Sequence, residues 1–539
     1  MLKINLLFCF IFFMCSGFVN AQWQWAHSFG GPSFDEACTV ASDHSNNCYL
    51  SGRFGFNFQI GAFNLIGHPS YNDVFISMLD NNGNVIWATE AGGADDDVAY
   101  DIATDNLGNC IVTGYFNNTA DFDGTLISSN GDDDVFIAKY DASGNLSWLK
   151  SFGSMYEDFG YRVCIDNTNN IFVTGEFRDS ITVDGTTIYS TYKGIFIVKY
   201  DNNGVFKWIK NIRSTGNLSV SGITVDNSNN LYVSGNFSLW LYSGTDSIYN
   251  YSSNDLFLVK LDASGNTVWL QDGAGQLDNI EIVCNSSTTD NFGNTYLTGT
   301  FPDTIHFGIH SAVVYGNPWE NDAFLCKFDS TGNKIWIRHG GGIDDYDAGL
   351  SVVNDVAGNI FLSGDFFGTS IFGNVTIINN FTLYASSLLV KYDSAGNALW
   401  GIKTIETIND CRINKIAIQD SSLYLSGFHR SQASMGSFNF NGYGYYDVIA
   451  GKLNGFTSNV SEHTGNDILL IYPNPAGSTL TIVLTDKDDA IITNLLGEKI
   501  MEEVHPFKTS GRIVLDISTL ANGIYFIHAG DRVQKFLKQ

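Results

Sequence analysis

The stretch Asp141-Ala142-Ser143-Gly144-Asn145-Leu146-Ser147-Trp148 joins a turn to a tryptophan, and this combination recurs along the chain. Asp and Asn side chains hydrogen-bond to their own backbone and Gly adopts positive φ, so the pattern is typical of a hairpin turn. The tryptophans return at intervals of 62, 61, 60, 61, 67 and 64 residues, as Trp25, Trp87, Trp148, Trp208, Trp269, Trp336 and Trp400. This period indicates one supersecondary unit in seven copies.

A second sequence marker recurs with the same period as the tryptophans. It is a Gly-x-aromatic step, found at Gly52, Gly114, Gly175, Gly235, Gly299 and Gly364, with a blurred seventh at Gly427. Between the markers apolar residues alternate with a period of two, which predicts short strands. We name the four strands of a copy A to D; in the second copy they cover 97–105, 110–116, 134–140 and 146–152. Four antiparallel strands per copy are typical of a β-propeller blade.

The two ends of the array are complementary. Residues 22–31 read as a lone D strand, and the last copy stops at Leu453 without its own tryptophan strand. We therefore expect an all-β protein, a seven-bladed β-propeller closed by its N-terminal strand. Each periodic tryptophan is expected to pack between blades as part of the core.

Four segments follow from the changes in composition. Residues 1–21 read as a signal peptide, with Lys3, an apolar run over 6–14 and a small-residue cleavage site before Gln22. Residues 22–456 are the propeller, 457–465 a polar linker and 466–539 a second domain without the tryptophan period. Short strands separated by Pro-Asn-Pro, Leu-Gly and Asn-Gly turns predict a small β-sandwich for this second domain. The mature chain is expected to have no transmembrane segment.

The repeats resemble the bacterial β-propeller repeat family (the SBBP repeat). The resemblance rests on Gly92-Gly93, Asp97-Val98-Ala99, Thr113-Gly114-Tyr115-Phe116, Asp134-Val135-Phe136 and the turn that ends at Trp148. It covers about residues 22–456 and implies a fold, not an activity. The family offers no agreed catalytic residues to carry over.

The C-terminal domain is similar to the sorting domain of the type IX secretion system of Bacteroidetes. The motif residues stand in the expected order: Tyr472, Pro473, Asn474, Pro475, Gly497, Gly523 and Tyr525. The resemblance implies the type IX secretion machinery as a partner. It also implies a protein that passes through the periplasm and is then secreted or displayed on the outer cell surface. An accessory β-sandwich is the alternative.

The chain is strongly acidic, with a formal net charge of −28. Such a surface repels nucleic acid and anionic membranes, so we expect neither as a partner. Solubility outside the cell explains the charge without a ligand. Cation binding is the alternative, because Asp35, Asp97, Asp158 and Asp347 each stand eight residues before the aspartate of an A–B turn.

These four aspartates could form a partial carboxylate ring at one mouth of the central channel. Oxygen ligands of this kind suit Ca²⁺, so calcium is the one cofactor that the sequence suggests. An aspartate at the start of a strand also commonly accepts local backbone hydrogen bonds. No complete calcium loop is present, and both interpretations stay open.

Catalytic motifs are absent from the sequence, which contains no Gly-x-Ser-x-Gly, His-Glu-x-x-His or phosphate-binding pattern. We assign no catalytic residues and do not expect an enzyme, although the abundant carboxylates leave glycoside cleavage open. Removing the signal leaves seven cysteines, an odd number without compact spacing, which predicts buried thiols and no disulfide scaffold.

The B–C connections run to about twenty residues and differ between copies, so we expect them to be variable loops that carry function. They hold aromatic residues that could bind sugar faces or simply pack on themselves: Trp240, Tyr242, Trp319, Tyr443 and Tyr445. The leading hypothesis is a surface-displayed binding or adhesion module for an extracellular glycan or a surface protein. The alternatives are an extracellular polysaccharide hydrolase or lyase, and a structural surface component.

Overall fold

A computed structural model describes residues 22–273, 281–316, 320–343, 346–379, 384–455, 470–472, 478–484, 490–493, 499–503, 511–521, 523–529 and 532–538. In these ranges the protein is all-β and propeller-like, and no helix long and apolar enough to cross a membrane occurs. The predicted signal peptide lies outside the described residues. Contacts divide the chain into two compact units, Met1–Phe456 and Thr457–Gln539.

The first unit contains 37 described strands. Those of its first half are β1 (Gln22–Phe29), β2 (Asp35–Ser42), β3 (Cys48–Phe54), β4 (Phe58–Ile60), β5 (Phe63–Leu65), β6 (Asp73–Leu79), β7 (Val85–Gly93), β8 (Val98–Thr104), β9 (Cys110–Phe122), β10 (Thr125–Tyr140), β11 (Leu146–Phe152), β12 (Phe159–Ile165), β13 (Ile171–Val183), β14 (Thr186–Tyr200), β15 (Phe206–Ser214), β16 (Leu218–Val225), β17 (Leu231–Ser243), β18 (Asp246–Leu261) and β19 (Thr267–Asp272).

The strands of its second half are β20 (Val283–Thr289), β21 (Thr295–Pro302), β22 (Thr304–Phe307), β23 (His310–Val313), β24 (Asn321–Phe328), β25 (Lys334–Gly341), β26 (Ala348–Asn354), β27 (Ile360–Phe366), β28 (Thr369–Phe372), β29 (Val375–Ile378), β30 (Ser386–Tyr392), β31 (Ala398–Lys403), β32 (Glu406–Thr407), β33 (Cys411–Gln419), β34 (Ser422–His429), β35 (Ala433–Met435), β36 (Phe438–Phe440) and β37 (Asp447–Asn454).

Antiparallel pairing arranges these strands in groups of four, each with strands A to D in order. Groups 1 to 4 are β2-β3-β6-β7, β8-β9-β10-β11, β12-β13-β14-β15 and β16-β17-β18-β19. Groups 5 and 6 are β20-β21-β24-β25 and β26-β27-β30-β31. Group 7 is β33-β34-β37-β1, so the opening segment of the described chain pairs with the last strand of the first unit, as predicted.

The A strands contact one another in succession. Strand β2 contacts β8, which is followed by β12, β16, β20, β26 and β33, and β33 in turn contacts β2. The series therefore returns to the group where it began. Hydrophobic side chains of neighbouring groups pack between the sheets, as where Trp25 and Phe54 share a cluster with Val448.

The predicted turn chemistry is confirmed. In the turn that precedes Trp148, Asp141 Oδ1 accepts hydrogen bonds from the backbone N–H groups of Ser143 and Asn145 at 2.8 and 3.0 Å. Gly144 has a φ of +84°, which an L-residue seldom adopts. The lack of a side chain at Gly144 also lets the Trp87 ring pack against the turn, because an added Cβ would lie 2.7 Å from Trp87 Cδ2. The seven described cysteines are all free; five are buried, and Cys38 and Cys164 are partly buried.

The B–C connections differ from the prediction, because they are not irregular loops. Each contains a β-hairpin: β4–β5, the tips of β9–β10, β13–β14 and β17–β18, then β22–β23, β28–β29 and β35–β36. Several hairpins also pair with the D strand of the preceding group, as β9 does with β7 and β17 with β15. Two-residue turns such as Asp123-Gly124, with φ of +50° and +83°, allow this geometry.

The second unit consists of two small antiparallel sheets in the described residues. Strands β38 (Leu470–Tyr472), β39 (Thr479–Leu484) and β42 (Gly511–Asp516) form one sheet. The other contains β40 (Ala490–Thr493), β41 (Lys499–Glu503), β43 (Gly523–Ala529) and β44 (Arg532–Lys538).

Candidate functional site

One edge of the groups collects the starts of A and C strands and the ends of B and D strands. In group 3 the register places Phe159 of β12 beside Glu176 of β13, and Glu176 beside Ile195 of β14. The D–A connections and the B–C hairpins leave from this edge, which we call the hairpin face. Loops and hairpins held on a rigid sheet are where binding residues concentrate.

The four predicted metal-binding aspartates lie at this face, at the start of A strands, and each is buried. Asp97 accepts backbone hydrogen bonds from Gly93 and Asn117 at 2.7 and 3.2 Å. Comparable bonds reach the other three, from Gly31 and Gly55 to Asp35, from Ser154 and Arg178 to Asp158, and from Gly342 and Ser370 Oγ to Asp347. No group of three or more metal-ligating side chains comes together in the described residues. The calcium ring thus stays a prediction.

Each of these aspartates has a second buried aspartate nearby, from the C strand of the preceding group. A Cβ added to Gly92 would lie 2.1 Å from Asp73 Oδ1 and 2.9 Å from Asp97 Oδ2, so only glycine leaves room for both carboxylates. Asp447 likewise lies near Asp35, and Asp134 near Asp158, each beside a glycine, and the adjacent Gly341 and Gly342 face Asp322 and Asp347.

Burial controls the protonation of these pairs. It raises the pKa of Asp97 to about 8 and that of Asp73 to about 6, and the repulsion between the two charges adds to the effect. Burial likewise raises the pKa of Asp35 and of Asp158 to about 7. Near neutral pH the pair of Asp97 and Asp73 therefore keeps a proton, and Asp35 and Asp158 are partly protonated.

Two of the predicted binding aromatics form a cluster in the hairpin of group 4. The Trp240 ring lies 6.1 Å from the Tyr242 ring, nearly parallel to it, and 5.0 Å from the ring of Tyr249. The guanidinium of Arg213 covers the other ring of the stack, 5.9 Å from the centroid of Tyr242. Trp240 is 42% exposed, which is unusual for a residue of this size. We call these four residues the Trp240 platform.

A second cluster lies in group 7. Tyr443 and Tyr445 are 66% and 52% exposed, and the Arg430 guanidinium lies 4.5 Å from the ring of Tyr445. Tyr446 packs edge-on against Tyr445. The structure thus separates the predicted aromatics into two clusters in different groups. Trp319 lies outside the described residues, as do Pro473, Asn474, Pro475 and Gly497 of the sorting motif.

A cavity of about 520 Å³ opens on the hairpin face at groups 3 and 4, and the sequence analysis did not anticipate it. Its lining includes the Arg178 guanidinium, which lies 5.1 Å from the ring centroid of Tyr156 and 5.4 Å from that of Tyr192. Lys193 forms an ion pair with the buried Glu176 at the same site. We call this the Arg178 cavity.

The Arg178 cavity and the Trp240 platform share one chain segment. Thr215 donates its N–H to the carbonyl of Trp240 at 3.0 Å, and its Oγ1 accepts the N–H of Trp240 at 3.2 Å. Two residues further on, Asn217 lines the cavity together with Leu218 and Ser219. The platform and the cavity are therefore adjacent along the hairpin face.

Another polar pair that sequence reasoning missed joins Ser28 to His429. Ser28 Oγ lies 2.7 Å from His429 Nε2, and His429 Nδ1 lies 3.0 Å from the carbonyl of Ser431. Burial lowers the pKa of His429 to about 4, so the imidazole is neutral near neutral pH. Since Ser28 belongs to β1 and His429 to β34, the bond connects β1 to another strand of group 7.

Comparison with known proteins identifies the C-terminal unit. Residues 470–539 match the family model of the Secretion system C-terminal sorting domain, which confirms the predicted type IX sorting domain. The protein is thus exported to the cell surface or the extracellular space. Of the motif residues described, Gly523 begins β43 and Tyr525 donates its hydroxyl to the carbonyl of Ala521 at 3.0 Å, while Tyr472 ends β38.

The chain is also similar to the Uncharacterized WD repeat-containing protein L264 of Acanthamoeba polyphaga mimivirus. The two are 23% identical over 441 residues, covering 65% of this chain but only 31% of that protein. This chain therefore spans less than a third of the relative's length.

Three solved structures are similar at low identity. Quinohemoprotein alcohol dehydrogenase from Comamonas testosteroni has a TM-score of 0.36 at 10% identity, covering 85% of this chain and 80% of that one. A PL25 ulvan lyase has a TM-score of 0.39 at 8% identity, covering 74% and 93%. Puromycin hydrolase has 0.39 at 8% identity, covering 84% and 59%. At such TM-scores these likenesses carry no argument about the site of this protein.

Proposed function

We propose that the protein is a secreted or surface-displayed binding module for extracellular glycans, carried on a seven-bladed propeller over residues 22–456. In this proposal the seven groups are the blades, and β1 closes the ring through group 7. The pairing of β1 with β37 and the return of the A strands from β33 to β2 support this architecture. Residues 466–539 are proposed to be a small β-sandwich that serves export.

The observation that carries the binding proposal is the Trp240 platform. Aromatic side chains that are stacked and exposed on a rigid hairpin offer a flat apolar surface of the kind that fits a sugar ring. The two hydrogen bonds between Thr215 and Trp240, one of them to the Thr215 hydroxyl, hold the hairpin against the end of β15 of the preceding group, so the platform exists before any ligand arrives. A surface ordered in advance loses less entropy on binding.

The test compares the full chain with two alanine variants by affinity electrophoresis and calorimetry against a panel of extracellular polysaccharides, with and without calcium. We expect Trp240→Ala to raise the Kd of a retained polysaccharide at least about tenfold, because exposed tryptophans commonly dominate binding surfaces. Phe292→Ala is the matched control, since Phe292 is 83% exposed in an A–B turn at the other edge of the sheets. Equal losses in both variants, or release of new reducing ends, would contradict the proposal.

A further inference from the structure

We propose that the Arg178 cavity binds the anionic group of an acidic sugar residue, a carboxylate or a sulfate ester, within the glycan that the Trp240 platform holds. The inference rests on the proposed glycan-binding function and adds to it a ligand class and a second contact. It is based on the position of one guanidinium, on the polar groups around it and on the continuity of the two surfaces.

In the described structure, the Arg178 side chain contacts aromatic rings and forms no ion pair. Its guanidinium lies within cation–π distance of both the Tyr156 ring and the Tyr192 ring, and its backbone N–H donates to Asp158 Oδ1 at 3.4 Å. Within the described part of the chain, the guanidinium makes no hydrogen bond and no ion pair. By contrast, Arg53 and Arg412 form ion pairs of 2.7 Å with Glu36 and Asp365.

Stacking leaves the edge of a guanidinium available. A guanidinium that contacts aromatic rings through cation–π interactions keeps its N–H donors, which lie in its plane, available for other partners. A planar carboxylate or a sulfate can accept two of these donors at once. In a chain of net charge −28, a cation that has not paired with one of the many acids is poised for an external anion.

The other cation of the cavity is already neutralised. Lys193 pairs with Glu176, whose Oε1 also accepts the N–H of Val220 at 3.3 Å. Glu176 is 4% exposed, so this pair forms a fixed part of the wall. Arg178 is consequently the group that selects for negative charge in the cavity.

The remaining polar lining fits hydroxyl groups. Asp132, Glu157 and Glu281 are exposed carboxylates, and Asn217 and Asn254 contribute amides. Carboxylates accept hydrogen bonds from sugar hydroxyls, yet they repel a small free anion, so the anion is favoured only as part of a hydroxyl-rich molecule. The volume of about 520 Å³ lies in the usual range for small-molecule sites of about 300–1,000 Å³.

Continuity with the platform favours a chain-like ligand. Because Thr215 bonds to Trp240 and Asn217 lines the cavity, a glycan stacked on the platform can place a neighbouring residue beside Arg178. Two linked contacts strengthen each other through effective concentration.

The experiment measures calorimetric Kd values of the full chain for three probes: oligogalacturonate, which carries carboxylates, carrageenan oligosaccharides, which carry sulfates, and neutral dextran oligosaccharides. We expect a clear preference for at least one acidic probe over dextran. Arg178→Gln should raise the Kd of that probe at least about tenfold, since charge-assisted bonds of this kind are lost. Which acidic probe responds identifies the anionic group.

Two further variants keep the test decisive. Lys150→Gln removes one positive charge from β11, away from the cavity lining, and is expected to leave the Kd unchanged. Arg178→Lys retains the charge but lacks the planar fork, and should bind less tightly than the wild type. Unaltered binding by Arg178→Gln, with normal thermal unfolding, would overturn the inference while Trp240→Ala still tests the function. If no glycan binds the wild type, the proposed function itself fails.

Discussion

At the scale of single residues, Trp87 shows how the recurring tryptophan joins neighbouring groups. Its ring packs against Gly144 in the turn of group 2, and its Nε1 donates to the carbonyl of Ala142 at 3.1 Å. We expect Trp87→Ala to lower the free energy of unfolding by about 3 to 5 kcal/mol, because a buried ring and a hydrogen bond are lost. Urea denaturation measures this, and Trp240→Ala, at an exposed ring, should lose less than about 1 kcal/mol. Similar losses in both would argue against the packing role.

A second residue-scale prediction concerns pH. The pKa values of Asp97 and Asp73, about 8 and about 6, lie above the value of about 3.9 expected in an unfolded chain. Between these limits the folded protein binds more protons than the unfolded one. The contribution of the pair to stability is therefore complete below about pH 4 and is lost as the pH rises through 6 to 8.

Asp73→Asn tests this linkage. The amide removes one charge and can donate to Asp97, so we expect the melting temperature of the variant to fall less between pH 5 and pH 8.5 than that of the wild type. Asp246→Asn removes an exposed carboxylate from β18 and should follow the wild-type profile. A parallel decline in all three proteins would mean that the pair does not titrate in this range.

At the scale of elements, the turns were predictable because their chemistry is local. An Asp followed by Gly and Asn suffices to determine the hydrogen bonds around Asp141. The B–C hairpins were harder to predict, since their pairing with the preceding D strand depends on residues about thirty positions away, as for Ala91 and Phe122. The turn Asp123-Gly124 was nevertheless a usable hairpin signal.

Strand β1 can be tested as an element. Ala26 is 3% exposed and packs in the cluster that contains Ile449 and Leu453, whereas Gln24 on the same strand is exposed. We expect Ala26→Asp to cost at least about 2 kcal/mol of unfolding free energy, because a carboxylate would be buried without a partner. Gln24→Asp adds the same charge and should cost little. Tolerance of both changes in urea titrations would show that β1 is not integrated in group 7.

At the scale of the whole molecule, the candidate site could not be predicted from the sequence because its residues come from different groups. Tyr156 and Arg178 belong to group 3 or its approach, while Asn217 precedes the first strand of group 4. Nothing in the local sequence marks Arg178, since its significance comes from the two tyrosine rings near it and from a guanidinium that makes no hydrogen bond or ion pair in the described structure. The Trp240 platform was predictable, because an off-period tryptophan next to tyrosines stands out in a repeat.

Export is the whole-molecule property that the C-terminal unit determines. We expect a chain without residues 470–539 to remain inside a bacterium that has type IX secretion, while the intact chain reaches the surface or the medium. Fractionation, immunoblotting and protease accessibility of whole cells measure the difference. The first unit has its own hydrophobic clusters, so the purified truncated chain should still unfold cooperatively. Trp240→Ala leaves the sorting domain intact, so that variant should be exported normally. If the truncated chain were exported as efficiently as the intact chain, the role of the domain would be refuted.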